Sequence, residues 1–407
     1  MRAIATLLLL LLAAAGQSPA QHWVGTWATA PAGVAGTAEQ FRDETLRLIV
    51  HASAGGDRVR IRISNVFGTE PLAVGAAHVA RRETGARLVA GTDRTVTFGG
   101  RPSIVIPPGG LVESDAAALT VAPLSDLAVS LYLPAATVES TTHVTALQTN
   151  YVSRPGDHTA SVAFDVARTL TRWPFLTGVD VSAPAQSAAI VTLGDSITDG
   201  ANSTADANAR WPDRLAARLQ RQSDLRHLAV LDEGIIGNRI LHPSETQFGN
   251  LFGPSALVRL DRDVLAQPGV RFLIVLLGIN DIGHPGSAAP ANEEVSAEQI
   301  TAGYRQFIER ARAKGIRVFA GTLLPFEDTT IAGFYSPEKE AKRQAVNAWI
   351  RTSGAFDGVI DFDKAVRDPA RAARMLPAYD SGDHLHPNDA GMAAMANAIP
   401  LDLFKVR

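Results

Sequence analysis

The sequence contains no cysteine, so the chain can form no disulfide bond and its stability must come from packing. The sequence also lacks a large excess of either sign of charge, because its formal net charge is only -3. Such a charge provides no basic field for a phosphate backbone, and we therefore expect no nucleic-acid partner. Aromatic residues are few, at 6%, but 46% of the residues are hydrophobic and 19% are charged, a composition typical of a globular protein with a sizeable core.

A membrane-spanning apolar run is missing as well. The run over residues 7–15 is shorter than the roughly 20 residues that cross a bilayer. It follows Arg2 and precedes small residues up to Ala20, which predicts a signal peptide over residues 1–20, cleaved near Ala20, rather than a membrane anchor. We expect a secreted or periplasmic bacterial protein with no stable membrane insertion.

The length of 407 residues predicts two domains, because a single core stops growing at about 250–300 residues. In residues 21–180 apolar and polar residues alternate in short runs that are separated by turn formers. This pattern predicts an antiparallel β-sandwich as an accessory domain. Its clearest expected strands are 46–50, 59–63, 95–98, 103–106, 119–121 and 127–131.

Residues 181–407 show a different pattern, in which apolar strands alternate with amphipathic helices. This alternation predicts a parallel sheet covered by helices on both faces, a three-layer α/β/α domain with five strands. The expected strands are 188–193, 228–231, 272–277, 318–323 and 359–360, and the expected helices are 212–222, 254–265, 297–314, 337–352 and 388–398.

Ser196 directly follows the first strand of the predicted parallel sheet. Open α/β sheets build their sites at the carboxyl ends of the strands, so this serine is placed as a nucleophile would be. A strand-ending turn in which the serine caps a helix explains the position equally well.

Asp383 and His386 stand three positions apart in Asp-His-Leu-His-Pro, just before the last helix. A serine nucleophile needs a base and a carboxylate that orients the base, and this loop could supply both. The pattern also fits a solvated surface loop, or a metal site that uses His384 and His386; no matching cluster elsewhere in the sequence supports a metal.

Gly237 and Asn280 follow the second and third strands of the same sheet. A glycine N–H and an asparagine amide could stabilise an oxyanion, although both residue types are also common in turns. Four polar signals thus occur in the order Ser, Gly, Asn, Asp/His. In these residues the sequence resembles the SGNH hydrolases, also called the GDSL esterase family, whose four motif blocks are matched across the second half of the chain.

The resemblance implies a flavodoxin-like hydrolase domain with Ser196 as nucleophile, His386 as base and Asp383 as its orienter. It also implies an oxyanion hole formed by the Ser196 N–H, the Gly237 N–H and Asn280, with no metal and no cofactor. The first motif block is Gly-Asp-Ser-Ile over residues 194–197. It departs from the family pattern only at Ile197, where the family has leucine, and this change is conservative.

Three segments of the first half, 23–27, 64–72 and 156–159, look like the β-rich region of secreted two-domain SGNH enzymes, some from xylan-degrading bacteria. This resemblance implies hydrolysis of short acyl esters, above all acetate, on plant polysaccharides or oligosaccharides. The alternatives are a broad aryl or short-chain lipid esterase, and a carbohydrate-binding protein whose hydrolase domain is silent.

Four residues close to the motifs are further candidates for a substrate cleft: Arg239, Asp281, Trp211 and Tyr379. Structural roles explain them as well, because Trp211 beside a proline at a helix start commonly packs in a core, and Arg239 with Asp281 could form an ordinary ion pair.

Overall fold

The computed structural model describes residues 21–34, 36–245 and 248–405. The predicted signal peptide, residues 1–20, lies outside this part of the chain. Within the described residues, no helix combines the length and apolar character needed to cross a membrane.

The first part of the chain folds into short strands, as its alternating pattern predicts. These are β1 (Trp23–Ala28), β2 (Gln40–Phe41), β3 (Glu44–Ala52), β4 (Val59–Ser64), β5 (Leu72–Val74), β6 (Ala76–Thr84), β7 (Arg87–Leu88), β8 (Arg94–Val96), β9 (Ile104–Ile106), β10 (Leu111–Glu113), β11 (Ser125–Leu133), β12 (Thr137–Val138), β13 (Thr142–His143), β14 (Asn150–Pro155), β15 (Val166–Leu170), β16 (Trp173–Pro174) and β17 (Leu176–Ser182).

Most of these strands form two antiparallel sheets, one in the order β1-β17-β4-β10 and one in the order β15-β14-β3-β11-β6-β7, with β8 on β6. The others form the two-stranded pairs β2-β12, β5-β9 and β13-β16. The facing side chains of the two larger sheets share one hydrophobic cluster, to which β3 contributes Leu46 and Leu48 and β4 contributes Ile61 and Ile63. Because alternate residues of each strand point to one face, the two sheets close over this core as a sandwich. The fold of the first part is therefore the predicted one.

Strands alternate with helices from Ala188 onward. The strands are β18 (Ala188–Gly194), β19 (Leu228–Gly234), β20 (Val270–Leu276), β21 (Arg317–Gly321), β22 (Gly358–Ile360), β23 (Arg367–Asp368) and β24 (Arg371–Met375). The helices are α1 (Ser196–Asp199), α2 (Trp211–Gln220), α3 (Ala256–Leu260), α4 (Ile279–Gly283), α5 (Ala297–Arg312), α6 (Pro337–Thr352), α7 (Phe362–Val366) and α8 (Asp389–Ala398). A π-helical turn over Asp261–Leu265 extends α3.

Five parallel strands form one sheet in the order β19-β18-β20-β21-β22, the arrangement predicted for this part. Strand β18 has a hydrogen-bonded neighbour on each side, and all seven of its residues are buried. Strands β19 and β22 are the two edge strands. The carboxyl ends of β18, β19 and β20 consequently meet at one rim of the sheet.

Several element bounds follow local sequence signals. The expected helix 337–352 is α6, which begins with Pro337 after Ser336, whose hydroxyl accepts a hydrogen bond from the Lys339 N–H. The expected strand 119–121 is wrong: Val121 forms only an isolated bridge with Gly56. The short helices α1, α4 and α7 were not predicted, because four or five residues are too few to show the apolar repeat that indicates a helix.

The sandwich packs against the edge of the parallel sheet. A side chain at Gly25 of β1 would stand 2.7 Å from the Leu231 side chain of β19, so the two strands approach closely only because glycine occupies this position. The Val230 N–H donates to the Ser53 hydroxyl at 3.0 Å. Val24 of β1 is buried in the hydrophobic core of the second part.

Candidate active site

Ser196 is the first residue of α1, immediately beyond the carboxyl end of β18. Asp195 caps this short helix, because its carboxylate accepts the Ile197 N–H at 3.1 Å. A side chain at Gly194 would stand 2.0 Å from the Thr198 hydroxyl, so only glycine lets the strand turn so sharply into the helix. The Gly-Asp-Ser sequence therefore sets the position of the serine.

His386 lies beside Ser196, although 190 residues separate them in the chain. Its Nε2 is 2.8 Å from the serine Oγ. Its Nδ1 is 2.6 Å from Oδ2 of Asp383. An N–H at Nδ1 that donates to this carboxylate leaves the Nε2 lone pair facing the serine hydroxyl, which is the arrangement that proton removal requires.

The Asp383 carboxylate is held by several donors. Its Oδ1 accepts the N–H groups of Leu385 and His386 at 3.0 and 2.8 Å. Its Oδ2 also accepts the side-chain amide of Asn202 at 2.8 Å. Partial burial disfavours the charged form, but the hydrogen bonds and the charge of His386 outweigh it and hold the pKa of Asp383 well below its usual range. The Asp383 carboxylate is therefore ionised at neutral pH, where it can accept a hydrogen bond from His386.

Asn202 was not singled out from the sequence. It has a positive φ of 65°, which asparagine tolerates better than most residues, and this backbone conformation belongs to the loop that follows α1. The only available signal was its position six residues after Ser196.

His384 takes no part in the contact with Ser196. Its φ of 60° is that of a turn residue, and its Nδ1 pairs with Asp380 instead. Among the residues that the structure describes, no group of three or more histidine or acidic side chains is arranged to hold a metal ion.

Ser196 and Gly237 lie beyond the carboxyl ends of β18 and β19, at one rim of the sheet, and the N–H group of neither has a hydrogen-bond acceptor among the described residues. Gly237 has a φ of 70°, and a side chain there would stand 2.4 Å from the Phe252 ring. Asn280, in the first turn of α4, is buried and donates from Nδ2 to the Asn238 carbonyl at 3.1 Å. Its second amide hydrogen is not used in that bond.

Two buried charged residues fix the loop that carries Gly237. Asp281 accepts the N–H groups of Ile240 and Leu241 at 2.8 and 3.1 Å, and burial raises its pKa to about 6. Arg259 donates to the Gly194 carbonyl at 2.9 Å and to Oδ1 of Asn238 at 2.9 Å. The ends of β18 and β19 are therefore joined through one guanidinium.

The other three candidates for a substrate cleft take different positions. Arg239 is 2% exposed and pairs with Glu245 and Glu293 at 2.8 and 2.6 Å, so its expected partner Asp281 is not the one it uses. Trp211 is fully buried with its ring against Phe362, which places it in the core. Tyr379 is half-buried and packs against the same core. Closeness to the motifs in sequence therefore does not distinguish residues that line a cleft from residues that pack in the core.

An aromatic wall lies next to Gly237. The half-buried Phe252 ring packs at 5.4 Å, centroid to centroid, from the His284 ring, which packs in turn on Phe334 at 5.8 Å. Burial, with the charges of Arg239 and Lys339, lowers the pKa of His284 to about 3. The imidazole is therefore neutral at ordinary pH, and this aromatic cluster carries no charge.

Comparison with known proteins identifies the family of the second part of the chain. Residues 192–394 match the family model of the GDSL-like lipase/acylhydrolase family. The second part of the chain belongs to this family, and a β-rich region precedes it. No curated protein sequence matches the chain.

Solved structures similar to the chain include a GDSL-like lipase from Bacteroides thetaiotaomicron, with 19% identity, 53% of this chain and 87% of that one covered, and a TM-score of 0.37. A carbohydrate acetylesterase from Sinorhizobium meliloti has 13% identity, 52% and 96% coverage, and a TM-score of 0.40. An aryl esterase from M. smegmatis has 16% identity, 52% and 96% coverage, and a TM-score of 0.40.

Proposed function

We propose that the chain is a secreted serine esterase that removes short acyl groups, above all acetate, from plant polysaccharides or oligosaccharides. The observation that carries the proposal is the line of contacts from Ser196 Oγ through His386 to Asp383, at 2.8 and 2.6 Å. Membership in an acylhydrolase family supports ester hydrolysis as the reaction class.

The reaction has two steps. His386 takes the proton of the Ser196 hydroxyl as the oxygen attacks the ester carbonyl, and the imidazolium then protonates the leaving alcohol. Asp383 keeps the imidazole in the required tautomer and stabilises its charged form. Water, deprotonated by His386, next attacks the acyl-enzyme, releases the acid and restores the serine.

The oxyanion of each tetrahedral intermediate receives hydrogen bonds from the N–H groups of Ser196 and Gly237 and from the amide of Asn280. Two observations support this role: both N–H groups lack an acceptor among the described residues, and Asn280 retains one amide hydrogen. Fixed donors of this kind are among the largest contributions to acyl transfer.

The preference for a short acyl group rests on Phe252. Its ring lies so close to Gly237 that even a methyl group at that glycine would collide with it. An acyl chain bound at the oxyanion site therefore meets an aromatic wall within a short distance. The preference for sugar esters rests on the likeness of the first half to the two-domain SGNH enzymes.

Replacing the serine tests the reaction. Ser196→Ala should abolish hydrolysis of an aryl acetate and labelling by a fluorophosphonate probe. The control is Ser287→Ala, which removes a hydroxyl of the same domain that donates only to the Ala332 carbonyl. Near-normal turnover by the Ser196 variant would contradict the proposal, and glycan binding by a wild-type protein that takes up no probe would favour the silent carbohydrate-binding alternative.

The substrate class needs a separate measurement. Acetate release from a panel of acetylated polysaccharides should exceed release from aryl and lipid esters at equal ester concentration. Faster turnover of longer aryl or glycerol esters would replace the sugar-ester assignment by a broad esterase without changing the roles in the site.

A further inference from the structure

His143, a residue of the sandwich, reaches into the second part of the chain behind the nucleophile helix. It lies on β13, is 3% exposed, and places Nε2 at 2.9 Å from Oδ1 of Asp199, the last residue of α1. Its ring packs beside Trp173, with centroids 5.8 Å apart. Because α1 begins at Ser196, this contact joins the sandwich to the helix that carries the serine.

Asp199 also contacts the loop that carries the unpaired N–H of Gly237. Its Oδ2 accepts the Ile236 N–H at 3.2 Å, one residue before Gly237. A side chain at Gly234 would stand 2.3 Å from the Asp199 backbone nitrogen, so α1 and the end of β19 are in close contact. A shift of the Asp199 carboxylate would therefore move the Ile235–Ile236 peptide, which directly precedes the peptide that carries the Gly237 N–H.

Hydrogen bonding on both sides of the His143 ring indicates its charge. Nδ1 lies 2.9 Å from the Ala30 carbonyl oxygen, which can only accept, and Nε2 faces a carboxylate. Both contacts are hydrogen bonds when the ring carries two protons, so the pair is an imidazolium and a carboxylate enclosed between the two parts of the chain.

Other charged groups face this pair. Arg210 donates from Nε to the Asp199 carbonyl at 2.6 Å and from Nη2 to the Thr145 carbonyl at 2.9 Å, and Asp232 lines the same cavity. Burial and the charge of Arg210 disfavour the imidazolium, but the Asp199 charge and the hydrogen bonds outweigh them, and the pKa of His143 is raised.

We propose that His143 is a positioning residue of the esterase site: through Asp199 it holds the Ile236 N–H, and with it the adjoining peptide that carries the Gly237 N–H, in place for oxyanion binding. This role rests on the proposed function of Gly237. It also gives the sandwich a part in the reaction, because a residue outside the hydrolase fold completes the support of the oxyanion site.

The sign of the pH dependence follows from the raised pKa. The ion pair between protonated His143 and Asp199 is fully formed below the ordinary histidine pKa of about 6.5. It is lost as the pH rises through the higher pKa that His143 has in the folded protein. Wild-type kcat should therefore fall on the alkaline side as His143 loses its proton, whereas a glutamine at 143 has no such transition.

The test uses His143→Phe, which keeps a ring beside Trp173 but removes both hydrogen bonds, and His143→Gln, which keeps an amide donor. Matched controls are His78→Phe and His78→Gln, because His78 also pairs with an aspartate of the sandwich, Asp93, at 2.8 Å. Kinetics with an aryl acetate are combined with hydrogen exchange at the Ile236 amide in the full chain.

We expect His143→Phe to lower kcat by about tenfold or more, up to the roughly 10²–10³ that the loss of one oxyanion donor costs, with KM little changed. Exchange at Ile236 should become faster, His143→Gln should fall between the phenylalanine variant and wild type, and the His78 variants should do neither. Should His143→Phe fail to fold, His143→Gln decides the question through exchange at Ile236 and the missing alkaline transition.

Unchanged kcat together with unchanged exchange at Ile236 in the His143 variants would overturn the proposal. A lower melting temperature with normal kcat would do the same, since it indicates a purely structural contact. Absence of ester turnover in the wild type would refute the proposed function instead, and exchange at Ile236 would still report whether His143 holds the loop.

Discussion

The side-chain amide of Asn202 donates a hydrogen bond to Oδ2 of Asp383 at 2.8 Å. The same oxygen is 2.6 Å from Nδ1 of His386. One carboxylate oxygen thus contacts both His386, the proposed base, and Asn202, which lies in the loop after the helix that begins with Ser196. This second donor limits the rotation of the carboxylate, so the imidazole finds its acceptor in one orientation.

Asn202→Gly should lower kcat/KM on an aryl acetate by about tenfold, because a hydrogen bond to a charged group contributes about 1.5–3 kcal/mol. Glycine keeps the positive φ of this residue, so the substitution removes the amide without straining the backbone. Asn208→Gly is the control, since Asn208 also has a positive φ, of 47°, and is not among the residues that hydrogen-bond to Asp383. Equal activity of both variants would show that the donor is dispensable.

Asn280→Ala should lower kcat by roughly 10²–10³ while KM changes little, because the lost amide acts on the oxyanion and not on the bound ester. Steady-state kinetics on an aryl acetate measure both constants. Asn280→Asp, of the same shape, should be equally impaired because it removes the donor. Normal turnover by either variant would exclude Asn280 from the oxyanion site.

Phe252→Ala should change the acyl-chain preference, since it opens space beside Gly237. The ratio of kcat/KM for an aryl octanoate to that for the acetate should rise at least about tenfold, as pocket contacts with one or two methylenes discriminate to this extent. Phe248→Ala provides the comparison, because that ring stacks on Phe252 at 4.8 Å. An unaltered ratio in Phe252→Ala would remove this ring from the acyl pocket.

Asp195→Asn should change how stability depends on pH. Burial raises the pKa of Asp195 to about 7, whereas the unfolded chain gives up this proton near its ordinary value of about 3.9. The native state therefore binds more protons between these values, and the stability of the wild type falls as the pH rises from 4 to 7, by up to about 4 kcal/mol from this group.

The asparagine variant keeps an oxygen that can cap α1 but does not titrate. Urea unfolding at pH 5 and pH 8 should show its stability gaining on that of the wild type at the higher pH. A constant difference between the two proteins would mean that Asp195 has no raised pKa in the folded state.

Much of the site was predictable, because its residues stand where strands end. Ser196 follows a buried apolar run, and Asp383 and His386 stand in one loop, so their contact with each other is local. The helix bounds at α6 were predictable for a similar reason, since Ser336 and Pro337 are explicit start signals.

The supporting contacts were not predictable, because they join residues without a local pattern. Arg239 could be expected to pair with the nearby Asp281, but it pairs with Glu293, 54 residues away. His143 lies on β13 and Asp199 on α1, and nothing in the spacing of the two indicates their contact. Such pairs are set by the way the parts of the chain dock.

The burial of Val24 among side chains of the parallel sheet has a consequence for the whole molecule. A chain cut between the two parts would leave an apolar strip along β19 open to water, on the edge strand that offers unpaired backbone groups to other chains. The hydrolase domain produced alone would consequently be prone to self-association, and heat should melt the intact protein in a single cooperative transition.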